Sequence, residues 1–155
     1  CSSDLFGVFD PGINALSIVT RILPRPVFVT RAELLTPSNR DTPIAATLAF
    51  AMPGADPGRQ ELSAVFDWRQ TGPQSWNIAI ETADGRRLDL TEGGSKLALD
   101  GRPEVAAPMQ EYERIYDRFA ALLDSGTNEI DAAPLQLVAD AFLVGKRVET
   151  AAFVW

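Results

Sequence analysis

Phe9-Asp10-Pro11-Gly12-Ile13-Asn14-Ala15-Leu16-Ser17, running on to Leu23-Pro24, is the stretch around which the chain is organised. Asp10 before Pro11 predicts a helix start: a side-chain acceptor at the N-cap, then a residue whose missing N–H costs nothing in the first turn. Leu16, Val19, Ile22 and Leu23 form a broad apolar side, and Leu23-Pro24 ends the helix. Asp10, Asn14, Ser17 and Arg21 fall at i, i+4, i+7 and i+11, so they share one polar stripe. The spacing stacks Asp10 and Asn14 at the open N-terminal end of a largely buried helix. That pair is the best candidate for chemistry in the chain.

Beyond this helix the period changes from helical to alternating. Pro26–Leu35 is rich in β-branched residues and reads as a strand. Ile44, Ala46, Leu48 and Phe50 alternate along a second, and Leu62, Ala64, Phe66 and Trp68 along a third. Trp76–Thr82, Arg87–Leu90 and Lys96–Leu99 follow, separated by Asp84-Gly85 and Glu92-Gly93-Gly94. Short turns force antiparallel neighbours, so these runs predict a meander of about six strands. Tyr112, Ile115, Tyr116, Phe119, Leu122 and Leu123 then return at helical spacing and read as core, with Gly126 as a C-cap. A second stripe, Leu135, Val138, Ala139, Phe142 and Leu143, opens after Asp131, a capping residue, and closes at Gly145. Val148–Trp155 is a candidate last strand. The fold class is α+β: an open, mainly antiparallel sheet of about six strands with helices on one face.

Composition narrows the function. The chain has 155 residues, which suits a single domain over residues 1–155, with a net charge of −7 and no basic stripe for nucleic acid. It carries no apolar run long enough to span a membrane. Histidine is absent, which removes Ser/His/Asp and Cys/His nucleophiles and leaves acid–base work to a carboxylate, lysine or tyrosine. Cys1 is the only cysteine, so neither an internal disulfide nor a cysteine metal site is expected. No metal site is expected at all.

The motifs themselves resemble a known family. Gly7–Ser17, Phe66-Asp67-Trp68-Arg69-Gln70-Thr71-Gly72-Pro73-Gln74, Glu111–Tyr116, Pro134–Phe142 and Gly145-Lys146-Arg147 are similar to the C-terminal half of the glucose–fructose oxidoreductase / inositol dehydrogenase family. Within it they resemble most the bacterial aldose 1-dehydrogenase branch, which acts on D-galactose or L-arabinose. The resemblance covers nearly the whole chain from Gly7 onward. It implies an N-terminal Rossmann half holding NAD or NADP, a C-terminal open-sheet half closing over the sugar and building a homo-oligomer, and oxidation of a pyranose at C1 to a lactone. This chain has no Gly-x-Gly-x-x-Gly and no Glu-Lys-Pro, the family's cofactor fingerprint and catalytic lysine motif. The cofactor is therefore expected on the half not represented here, and the chain alone is expected to be inactive.

Carried over residue by residue, Asp10 matches the family's Asp and is the candidate base, alone or with the lysine of the half not represented here. Asn14 stands where the wider family commonly has His; it can orient a sugar but cannot take its proton. Trp68 and Trp76 are candidate stacking faces for the sugar ring, with core packing as the plain alternative. For Asp10 the plain alternative is an N-cap. The parent protein is expected to be cytoplasmic, with a sugar substrate and no membrane or nucleic-acid partner. The competing reading is a non-catalytic truncated paralogue that pairs through its sheet or binds a sugar. A Cys-Ser-Ser start also fits a lipid-anchored protein, but hydrophobic Leu5–Phe9 stands where a polar linker is expected, which favours a severed domain.

Overall fold

Among the described residues the chain runs helix, seven strands, two helices, strand. The computed structural model describes residues 6–54, 62–69, 71–73, 77–82, 84–108 and 110–154. It divides into two compact units, Cys1–Gln70 with Ile130–Trp155, and Thr71–Glu129.

The first unit carries the opening helix. α1 (Phe9–Ile22) is followed by β1 (Phe28–Pro37), β2 (Ala45–Ala51) and β3 (Leu62–Asp67), and the unit closes with α3 (Ala133–Val144) and β8 (Gly145–Thr150). The four strands form one sheet in the order β3-β2-β1-β8. β1, β2 and β3 are antiparallel neighbours, as their alternation predicts, and β8 joins β1 in parallel. The tail strand therefore forms, but it begins at Gly145, directly after α3. Phe9, Leu16, Leu34, Leu48, Val138 and Ala141 share one buried core, so α1 and α3 cover the same face of this sheet. The other face carries Arg31, Glu33, Thr47, Ala49, Ser63 and Val65 in register.

The second unit is a separate sheet with a helix. β4 (Ile78–Glu81), β5 (Arg87–Thr91), β6 (Lys96–Leu99) and β7 (Arg102–Ala106) run antiparallel in sequence order. Ile78 faces Leu90, Ile80 faces Leu88, and Leu97 faces both Leu90 and Val105, so the ladder builds one apolar face. The meander expected as one sheet is thus two among the described residues. The connection from β3 carries Gly72 at φ +104° and then Pro73, which has no N–H for a ladder. β7, absent from the sequence reading, follows the tight Asp100-Gly101 turn at φ 49° and 75°.

α2 (Glu111–Ser125) ends as expected, with Gly126 left-handed at φ 64° and its N–H bonded to Leu122 and Leu123 carbonyls. Its apolar stripe is not core, however: Tyr112, Ile115, Tyr116, Phe119 and Leu123 are all exposed. Periodicity identified the apolar face of the helix correctly, but it does not say what covers that face.

Candidate functional site at the start of the first helix

The turn before α1 is built on a backbone contact that only glycine allows. Gly7 sits at φ +60°, and a Cβ there would lie 2.4 Å from the Pro43 carbonyl oxygen. The next residue, Val8, donates its N–H to that same oxygen at 2.8 Å. Gly7→Ala therefore meets both a left-handed backbone and a carbonyl. It is expected to cost about 1–3 kcal/mol, read as a shift in the urea midpoint without a change in slope.

α1 starts two residues earlier than Asp10-Pro11 predicted. Its cap position is Val8, no side chain caps it, and Asp10 lies inside the first turn. The backbone explains why. Phe9 N–H donates to the Phe6 carbonyl at 3.3 Å, Asp10 N–H to Gly7 at 3.0 Å, and Gly12 N–H to Val8 at 3.2 Å. Pro11 has no N–H. Every donor that a helix start leaves without a partner is thus satisfied by backbone or missing.

The Asp10 carboxylate is consequently free of the capping role that was the plain alternative for it. It is half-buried, and Asn14 stands exposed one turn on. Among the described residues neither side chain has a hydrogen-bond partner. Both polar groups are available to a ligand. Further along the same stripe Arg21 reaches Asp131 at 3.7 Å, and Asp131 accepts the Ala133 N–H at 3.1 Å in a turn just ahead of α3, whose cap position is Ala132 and not the Asp131 expected.

Trp68 continues the alternation of Ala64 and Phe66, and all three pack against the core as partly buried side chains. Its N–H donates to the Ile44 carbonyl at 3.0 Å. Asp67 and Arg69, on either side of it, form a two-pronged ion pair with both prongs at 2.8 Å. The Arg69 side chain, and then its backbone N–H, hold the Asp67 carboxyl below its ordinary value of 3.8. A carboxyl depressed on folding contributes stability that is complete above its unfolded pKa and is lost as pH falls through the lowered value. Asp67→Asn should therefore flatten the stability profile below about pH 4, by less than about 1 kcal/mol because the pair is exposed. Thermal melts across pH 2.5–6, taken in this range to bracket an ordinary Asp, check it. Trp76 lies outside the described residues.

Among the described residues no group of three or more His, Cys, Asp or Glu side chains is placed to hold a metal ion, and no helix is long and apolar enough to cross a membrane. A shallow groove on the β4–β7 sheet, lined by Asp89, Thr91, Lys96 and Val105, contains none of the site residues.

With the geometry in place, comparison with known proteins is decisive for ancestry. The chain is 46% identical over 147 residues to galactose 1-dehydrogenase of Pseudomonas fluorescens, a match covering 95% of this chain and 47% of that enzyme. Over nearly its whole length the chain is similar to about half of that enzyme. The crystal structure of D-galactose-1-dehydrogenase from Rhizobium etli matches at 54% identity with a TM-score of 0.84, over 96% of this chain and 46% of that one. A 3-ketoreductase from Actinomadura kijaniata shares the fold at a TM-score of 0.68 but only 12% identity, over 94% of this chain and 49% of that one. No family model matches. The chain spans about half the length of the relatives it matches. The resemblance to the aldose dehydrogenase branch, carried by Gly7–Ser17 and the motifs after it, is therefore borne out as homology along nearly the whole chain.

The described residues do not fit a dinucleotide. Its pyrophosphate needs a glycine-rich strand-to-helix turn with N–H groups left open. At α1 those groups are bonded to backbone, at α3 Asp131 accepts the Ala133 N–H ahead of the helix and Pro134 in its first turn has none, and no glycine lies in residues 102–110 before α2.

Proposed function

We propose that this chain is the substrate-binding and oligomerisation half of an NAD(P)-dependent aldose 1-dehydrogenase, oxidising a galactose- or arabinose-type sugar at C1 to the lactone in the cytoplasm. One observation carries the reading: a half-buried carboxylate in the first turn of α1 that the helix does not use, with a carboxamide one turn on. Homology to galactose 1-dehydrogenases over nearly the whole chain supports it.

Lactone formation removes a hydride from C1 and a proton from its hydroxyl. Asp10 takes that proton, which requires the hydroxyl within hydrogen-bond reach. Asn14 holds a sugar hydroxyl through its carboxamide, donating or accepting as the pose demands. Trp68 offers an aromatic face for the ring. The hydride acceptor, NADP or NAD, is bound mainly by the part of the protein that this chain does not span. A second copy covers the outward face of the first sheet, where Val65 is 73% exposed beside small and mixed side chains.

The test is sugar-dependent reduction of NADP or NAD by the full-length protein, across a panel of aldoses, beside this chain alone. Turnover of D-galactose or L-arabinose by the former only is the expected result. Turnover by the chain alone, or none of any aldose by the full-length protein, overturns the reading.

A further inference from the structure

α1 carries a glycine in its second turn, where glycine weakens a helix relative to alanine. The packing shows what occupies the missing side chain's place. A Cβ on Gly12 would lie 3.1 Å from Phe66 Cδ1 and 3.2 Å from Cε1, so the helix backbone rests directly on that ring. Phe66 also meets Phe9 edge-on, with centroids 5.7 Å apart at 62°. Phe9 in turn meets Phe142 of α3 at 5.5 Å and 67°. Phe9 and Gly12 are i and i+3, one buried face of the helix, while Asp10 and Asn14 stand nearly opposite on the same two turns, so any change in how the helix seats on the ring moves them as well.

We propose that Gly12 and Phe66 are positioning residues for the Asp10–Asn14 pair: the bare backbone at Gly12 sets how deeply the first turns of α1 lie on the Phe66 ring, and so where the carboxylate and carboxamide stand toward the sugar. This rests on the function proposed above. An added methyl at 3.1 Å pushes helix and ring apart by a few tenths of an ångström. Proton transfer and hydroxyl orientation are sensitive to displacements of that order, since a misplacement of about 1 Å costs about 100-fold.

The experiment is a double-mutant cycle in the full-length enzyme. Gly12→Ala should lower kcat/KM for D-galactose about 10-fold. Its Tm should shift by only a few degrees, because alanine's helix preference of about 1 kcal/mol offsets the strain of the displaced ring. Combined with Asp10→Asn, the same change should cost less than about twofold, because the group it displaces no longer acts. Equal losses in both backgrounds, or no loss in either, overturn the proposal and leave Gly12 as ordinary packing. Should Gly12→Ala fail to fold, Phe66→Leu changes the same contact from the strand side, and the same cycle decides. Turnover that survives Asp10→Asn overturns the functional reading itself, and the positioning role with it.

Discussion

Asp10→Asn should lower kcat of the full-length enzyme by about 100- to 10,000-fold, the range of a lost general base. KM for the sugar should change little, because the carboxamide keeps an acceptor oxygen of the same shape. Stability should stay within about 0.5 kcal/mol, since no hydrogen bond is broken by the exchange. The paired readout separates two roles that share one residue type. An N-cap aspartate lost to a weaker acceptor costs about 0.5–2 kcal/mol and leaves chemistry untouched. A base costs turnover and leaves stability untouched. Steady-state kinetics with thermal melts on the same preparation decide between them, and normal turnover by the variant would overturn the role of Asp10 as base.

The distinction also shows where sequence reading stops. Asp10-Pro11 is a good start signal, and α1 does begin there to within two residues. What the pair of letters cannot reveal is that Gly7 turns left-handed against Pro43, a residue far along the chain, and that this turn satisfies the helix start from backbone alone. Local pattern predicted the cap, and tertiary contact removed the need for it. The consequence favours chemistry.

Elsewhere legibility follows the range of the interaction involved. Alternation in Ile44–Phe50 and Leu62–Trp68 put the strands in place, because a side chain's face is fixed by its own neighbours. Gly126 announced the end of α2 for the same reason. The break between two sheets was not legible: short turns tell which strands are neighbours, and they do not mark where a ladder ends. β7 was overlooked because Pro103 and an all-exposed run resemble a loop, although Asp100-Gly101 is a hairpin signal in plain sight. The partly buried stance of Trp68 leaves its stacking role to be tested with the rest of the site.

Phe9→Ala should be the costliest single change to the fold, at about 3–5 kcal/mol. Phe9 is fully buried at 0% exposure, and its ring lies edge-on to both Phe66 of the sheet and Phe142 of α3. Truncation loses the transfer energy of the ring, leaves a cavity that three elements cannot collapse into together, and removes two aromatic contacts at once. A fall in Tm of about 10 °C or more is the expected readout for a chain of this size. A loss under about 1 kcal/mol would mean that α1 does not seat on the sheet through this ring. Phe9 precedes Asp10 directly, yet the two variants should separate: Phe9→Ala loses folding stability, whereas Asp10→Asn loses turnover with its folding intact. Helical spacing makes that possible, since consecutive residues point about 100° apart and only one of the two faces the core.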